Sequence, residues 1–192
     1  MYKEKLIKSC VGIAGCGGLG SNCAVALARI GVGNLVIADF DVIVQSNLNR
    51  QYFFFNQIGQ KKVFALRDNI NNINRDVVVD AHDIKLSPAS IKTLFQKCDI
   101  IIEAFDLAEM KQMIIETVLT EFPMKYLISG VGLAGWGNNN TIKTERYDKL
   151  FVCGDQQIEV SQDCPPLAPR VGIVANMQAN QALEIIINEL NK

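Results

Sequence analysis

Gly15-Cys16-Gly17-Gly18-Leu19-Gly20 sets glycines at 15, 17 and 20. That spacing lets a chain turn tightly, lay bare backbone against a phosphate and pack a helix closely on a strand. A helix opening at such a loop offers free N–H groups and the positive end of its dipole, so its first chemistry is anion binding. Asp39, in Asp39-Phe40-Asp41, closes the next apolar run, about 20 residues on, where an acid meets a ribose hydroxyl. An NAD-binding oxidoreductase fits these two features. The polar stretches after Asp41 favour ATP. Arg50, in Ser46-Asn47-Leu48-Asn49-Arg50-Gln51, offers a planar donor fork, and Lys62, in Gly59-Gln60-Lys61-Lys62, a mobile point charge. A triphosphate needs such cations beyond one helix terminus. Asp106 ends Glu103-Ala104-Phe105-Asp106 and suits magnesium, which takes one or two carboxylates with phosphate oxygens. The plainer reading makes Arg50 and Lys62 surface cations and Asp106 a helix cap.

Alternating elements must position these groups. Residues 10–14 read as a buried strand and 21–30 as a helix with an apolar stripe at Leu19, Cys23, Leu27 and Ile30. Strands are expected at 34–38, 77–81, 99–104 and 126–131. Helices are expected at 57–72, with Val63, Leu66, Ile70 and Ile73 on one face and Lys62 beside it, at 107–121, and from the Ser87-Pro88 cap to 96. The pattern is a Rossmann-like, doubly wound, mostly parallel α/β sheet. The alternation breaks at 130–140, a glycine- and asparagine-rich loop. Short antiparallel strands come next at 141–147 and 150–153, then a polar crossing segment over 154–169 and a closing helix over 171–190.

The chain has 192 residues, 49% of them hydrophobic, which predicts one globular domain over 1–192. Lys and Arg number 19 against 20 Asp and Glu, so no global field recruits nucleic acid or an anionic membrane. Neither a span of transmembrane length nor a secretory signal pattern is present, and the cytoplasm is the expected location. Six cysteines without a Cys-x-x-Cys pair argue against a disulfide framework, and no zinc is expected. Cys16 and Cys23 read as small packing residues, and the lone His82 as structural or surface. Trp136 lines a substrate channel or packs on the sheet.

In order and over nearly the whole chain, these motifs resemble the ThiF/MoeB/HesA family, relatives of the ubiquitin-activating enzymes. The likeness continues through Ala168-Pro169-Arg170-Val171-Gly172 and Gln178-Ala179. The short length and residues 130–144 are most similar to the compact ThiF branch. The resemblance implies ATP-dependent adenylation of the terminal Gly-Gly carboxylate of a ThiS-like, ubiquitin-like sulfur carrier by a homodimer in thiamine biosynthesis. It further implies that Gly15, Gly17, Gly18, Leu19 and Gly20 contact the phosphates and that Asp39 binds the ribose, with Asp41 in the same set. Asn47, Arg50 and Lys62 would hold the triphosphate, Gln51 would be an accessory donor, and Asp106 would hold Mg2+.

Three departures from the family pattern stand out. Only Lys3, Lys5 and Lys8 precede the first strand, where the family places an arginine that reaches the partner's nucleotide. The zinc-binding cysteine pairs are missing. Cys164, in the region of a carrier-bonding cysteine, lies only four residues before Ala168. Catalytic roles are thus expected for Arg50, Lys62 and Asp106, with Cys164 as a candidate thiol. A non-catalytic nucleotide- or carrier-binding module is the other alternative.

Overall fold

The structure, a computed structural model, describes residues 2–190. Seven strands form one sheet in the order β3-β2-β1-β4-β5-β7-β6. They are β1 (Cys10–Ala14), β2 (Asn34–Asp39), β3 (Val78–Asp83), β4 (Ile100–Glu103), β5 (Tyr126–Val131), β6 (Lys143–Tyr147) and β7 (Leu150–Gly154). All neighbouring pairs are parallel except β6 with β7. The expected antiparallel pair is therefore present, but its second strand joins the sheet parallel to β5. Helices are α1 (Tyr2–Lys8), α2 (Gly18–Ile30), α3 (Lys62–Ile73), α4 (Pro88–Leu94), α5 (Ala108–Glu121) and α6 (Ala168–Asn188).

The central strands are covered on both faces, which is why they read as unbroken apolar runs. Alternate residues divide between two cores: Val11 and Ile13 face the layer of α2, α3 and α6, whereas Ala14, Val36 and Ile101 face α4 and α5. Gly12 has no side chain because a Cβ there would lie 2.6 Å from the Phe95 ring. The apolar face of α2 buries Leu19, Cys23 and Leu27, as expected, but Ile30 is exposed at its last turn.

Several bounds differ from expectation for local reasons. Residues 57–61 are not the start of α3. Phe55–Gln57 is a 3-10 turn, and Gly59 adopts φ +87°, which ends any helix there. Helix α6 starts at Ala168 rather than 171, with Pro169 in its first turn, where a missing N–H costs nothing. Helix α1 has no counterpart among the elements expected from sequence. It buries Leu6 alone, and Lys5 Nζ donates to the carbonyls of Ile187 (2.7 Å) and Leu190 (3.3 Å) at the end of α6. A cation there suits the negative helix end, so Lys5 is committed within its own chain. No helix among the described residues is long and apolar enough to cross a membrane.

Candidate functional site

Strand β1 lies between β2 and β4, so the chain leaves in opposite directions on its two sides. The carboxyl ends of β1 and β4 form the crevice where open α/β sheets take ligands. The glycine turn fills it. Gly15 has φ +96°, and a Cβ there would meet Ala104 O at 2.9 Å. A Cβ on Gly20 would lie 1.8 Å from Gly15 O. These two glycines let the turn sit against β4 and let α2 close onto it. The N-cap of α2 is Gly17, which supplies no side-chain acceptor, and no acid lies in the first turn. Its N–H groups and positive dipole end are left for an anion.

Asp39 ties β2 to this turn. Its Oδ2 accepts the Cys16 N–H at 2.6 Å and its Oδ1 the Asp41 N–H at 2.8 Å. Lys62, the first residue of α3, is buried and donates from Nζ to Asp41 Oδ2 at 2.7 Å. The surroundings of Cys16 show how close these groups are: burial raises its thiol pKa most, Asp39 raises it further, and Lys62 lowers it. Cys16 is thus an inert packing residue with Asp39 and Lys62 as its charged neighbours.

The stretch after β2 brings in the second cation. A 3-10 turn, Gln45–Asn47, is closed by Asn47 Oδ1 accepting the Val44 N–H at 3.0 Å. Arg50 lays its aliphatic stem against Gly18, where a Cβ would touch its Cγ and Cδ at 3.6 and 3.7 Å. Its Nη1 donates to Ser46 O (3.2 Å) and Asn49 Oδ1 (2.7 Å). Among the described residues it pairs with no carboxylate. Gln51 is buried beside Gly17, and its Oε1 has no hydrogen-bond partner there. A buried, unpaired carbonyl is costly unless a ligand or water completes it.

On the β4 side, Asp106 is exposed and makes no hydrogen bond or ion pair among the described residues. It does not cap α5, whose N-cap is Leu107 without a side-chain bond. Glu103, three residues earlier, is its buried support. The Glu103 carboxylate accepts from Lys111 Nζ (3.0 and 2.9 Å), Ser129 Oγ (2.5 Å) and the Phe105 N–H (2.7 Å). The last bond sets the turn that presents Asp106. A lone acid in an apolar strand was the available sequence signal, because burying a carboxylate demands partners.

Cys164 lies elsewhere. Its N–H donates to Ser161 Oγ at 3.0 Å, and its Sγ is the atom a Cβ on Gly135 would strike at 2.6 Å; neither partner belongs to the cluster around the glycine turn. The crossing segment is clipped to the glycine loop by an Ala134–Pro166 bridge and a Gly135 N–H to Pro165 O bond of 2.9 Å. A second anchor is not legible in the sequence. The guanidinium of Arg170 bonds the Asp155 carboxylate and the carbonyls of Gly132 (3.2 Å) and Gly137 (2.6 Å), and both side chains of the ion pair are at most 2% exposed. Burial would raise the Asp155 pKa, but the Gln157 and Ile158 N–H groups and Arg170 outweigh it and hold the carboxyl below its ordinary value. Trp136 is exposed and lines, with Leu167, Pro169 and Ile173, a recess of about 90 Å³. His82 sits on the edge strand β3 beside Asp80.

The mostly parallel sheet with its glycine turn at the switch point defines a Rossmann-like fold, and the uncapped helix terminus there, with Arg50 against Gly18, suits an anionic ligand. Residues 2–192 match the ThiF family, and the chain belongs to that family. It is 28% identical over 191 residues to the molybdopterin-synthase adenylyltransferase of Escherichia coli (strain K12), covering 96% of this chain and 75% of that one. It is 29% identical over 188 residues to the sulfur carrier protein ThiS adenylyltransferase of the same strain, covering 96% and 74%. Ubiquitin-like modifier-activating enzyme 5 of Bombyx mori is 32% identical over 186 residues, covering 90% of this chain and 46% of that one. The chain thus spans about three quarters of the first two relatives and less than half of the third. Adenylyltransferases are nucleotidyltransferases. The structure of E. coli tRNA N6-threonylcarbamoyladenosine dehydratase in complex with AMP shares the fold, with a TM-score of 0.86, 18% identity, and coverage of 96% of this chain and 88% of that one.

Proposed function

We propose that this protein adenylates the C-terminal Gly-Gly carboxylate of a ubiquitin-like sulfur carrier, of the ThiS kind in thiamine biosynthesis, acting as a cytoplasmic homodimer. The observation that supports the reading most is the uncapped α2 terminus at the glycine turn, with the Arg50 stem against Gly18 and no acid partner for Arg50 among the described residues; Asp106, after β4, is likewise unpartnered among them. A redox dinucleotide would leave Arg50, Lys62 and Asp106 without work.

In this reading a carboxylate oxygen of the carrier attacks the α-phosphorus of ATP. The bond from that phosphorus to the bridging oxygen breaks, and pyrophosphate leaves with the electron pair. Such catalysis needs alignment and charge neutralisation more than covalent chemistry from the protein. Gly15, Gly17, Gly18, Leu19 and Gly20 present backbone to the phosphates, and Asn47, Arg50 and Lys62 hold the polyphosphate. Each Asp39 oxygen accepts one backbone N–H and keeps a lone pair for a ribose hydroxyl. Gln51 donates from Nε2 to the ligand, while its buried Oε1 needs a hydroxyl or a water rather than a phosphate oxygen. Asp106 fits magnesium, since its carboxylate is exposed and uncommitted among the described residues. Bound there, the ion would supply positive charge to the phosphates. Cys164 is the thiol proposed to receive the activated carrier, and sulfur transfer retained by a Cys164→Ser variant would remove it from the scheme.

The test is mass spectrometry of a Gly-Gly-ended carrier incubated with the protein and ATP–magnesium. The reading requires a mass gain of one adenylyl group, AMP less one water, lost on hydroxylamine treatment. A carrier that stays unmodified at saturating ATP contradicts it.

A further inference from the structure

The start of α3 runs against its own dipole. A helix N-terminus favours anions within its first turn, yet Lys61 is the N-cap, Lys62 is the first residue, and no acid lies in that turn. Each lysine is neutralised by a carboxylate from another element. Lys61 Nζ meets Asp83 Oδ1 at 3.0 Å and Phe40 O at 2.9 Å; Lys62 Nζ meets Asp41 Oδ2 at 2.7 Å. The two pairs differ in burial. The Lys61–Asp83 pair is open on both sides, at 39% and 32%, whereas the Lys62 side chain is 6% exposed and that of Asp41 49%.

Lys62 is therefore a cation enclosed beside the glycine turn, with its counter-charge facing outward. The backbone of Asp41 is fixed at both ends. Its N–H donates to Asp39 Oδ1 at 2.8 Å, and its carbonyl accepts the Lys62 N–H at 3.1 Å. Only the carboxylate is free to turn, and it would face any polyphosphate brought to Lys62 as a like charge. An exposed carboxylate regains most of its solvation when it lets go, but the enclosed ammonium does not, so the pair opens where an incoming anion takes the carboxylate's place.

We propose that Asp41 is a resting counter-ion for Lys62: an entering polyphosphate displaces the carboxylate from the ammonium, and Asp41 sets how much negative charge a ligand must bring before Lys62 engages it. Asp41 is in this sense a positioning residue, acting through Lys62. The proposal rests on the nucleotide reading for where phosphates lie, while the exchange itself concerns any polyphosphate.

The experiment is calorimetric titration of the full chain with inorganic tripolyphosphate, and in parallel with ATP–magnesium. Asp41→Asn removes the competitor and should tighten tripolyphosphate binding about two- to fivefold. Asp41→Glu, which can still pair, should bind like the unmutated protein. In a Lys62→Met background the Asp41→Asn gain should vanish, since the two residues form one unit. A purely structural Asp41 predicts weaker binding instead. Unchanged or weaker binding by a folded Asp41→Asn variant overturns the proposal. Lysine-side-chain 15N NMR on the unmutated protein gives the same answer without that variant. The Lys62 ammonium resonance, identified by its loss in Lys62→Arg, must move on saturation with tripolyphosphate while that of Lys61 stays; a stationary Lys62 signal overturns it. Tripolyphosphate exchange without ATP binding would sink the adenylation reading and leave the exchange standing. ATP binding indifferent to Asp41→Asn would do the reverse.

Discussion

Truncating Arg50 to alanine removes a guanidinium whose hydrogen bonds in the free protein run to Ser46 O and Asn49 Oδ1, both exposed and both in its own segment. Its packing loss is the stem over Gly18. Hydrogen bonds of this kind are worth about 0.5–1.5 kcal/mol each, so the fold should lose about 1–2 kcal/mol and the Tm about 2–8 °C. Against a typical stability of about 5–15 kcal/mol, the variant stays almost wholly folded. If Arg50 holds the polyphosphate in the transition state, losing it costs about 3–4 kcal/mol there, or roughly a hundred- to a thousandfold in rate. The catalytic loss therefore exceeds anything unfolding could produce. The assay is carrier-dependent exchange of labelled pyrophosphate into ATP, with the melting temperature measured on the same sample. Arg50→Lys should fall between, because it restores the charge without the planar fork. A folded Arg50→Ala variant exchanging within about threefold of the unmutated protein would refute the reasoning, since an anchoring charge cannot be worth so little.

Glu103→Gln should lower stability by about 1–3 kcal/mol, because the half-buried Lys111 ammonium loses its counter-charge but keeps the Gly130 carbonyl; chemical denaturation checks this. Gly20→Ala sets a Cβ 1.8 Å from Gly15 O, so α2 must shift off the turn, and ATP binding by calorimetry should be lost before the fold is. Asp155→Asn strands the buried Arg170 guanidinium and should cost about 3–5 kcal/mol, seen as early melting and proteolysis within residues 155–167. The pH dependence of that clamp comes from the lowered Asp155 pKa. A depressed carboxyl gives stability that is full above its unfolded value near 4 and is lost as pH falls through the folded value. Protease sensitivity of the crossing segment should therefore rise only in acid below the ordinary carboxylate range, and the Asp155→Asn variant should lack that transition.

Local pattern was enough wherever a single segment contained its own reason. Strands Cys10–Ala14 and Tyr126–Val131 have the expected bounds, because strands covered on both faces are apolar throughout. The Ser87-Pro88 start was legible for the same reason, since Ser87 Oγ accepts the Ser90 N–H within one turn. The glycine turn and Asp39 were also legible, and the structure joins them through the Cys16 N–H. Features that stayed hidden depend on partners far along the chain. Glu103 needs Lys111 and Ser129, and Arg170 needs Asp155 and two glycine carbonyls. Helix α1 is held by Leu6 and by the Lys5 bonds to the far end of the chain. The sequence places Lys62 beside the apolar face of its helix, but its pairing to Asp41 depends on the turn between β2 and α3.

The most direct measurement is exchange of labelled pyrophosphate into ATP by the unmutated protein with a Gly-Gly-ended carrier, set beside the same carrier with its terminal carboxylate amidated. Adenylation of the carrier predicts exchange with the free carboxylate and none with the amide. Exchange that ignores the terminal carboxylate, or its absence at saturating ATP–magnesium and carrier, would contradict it.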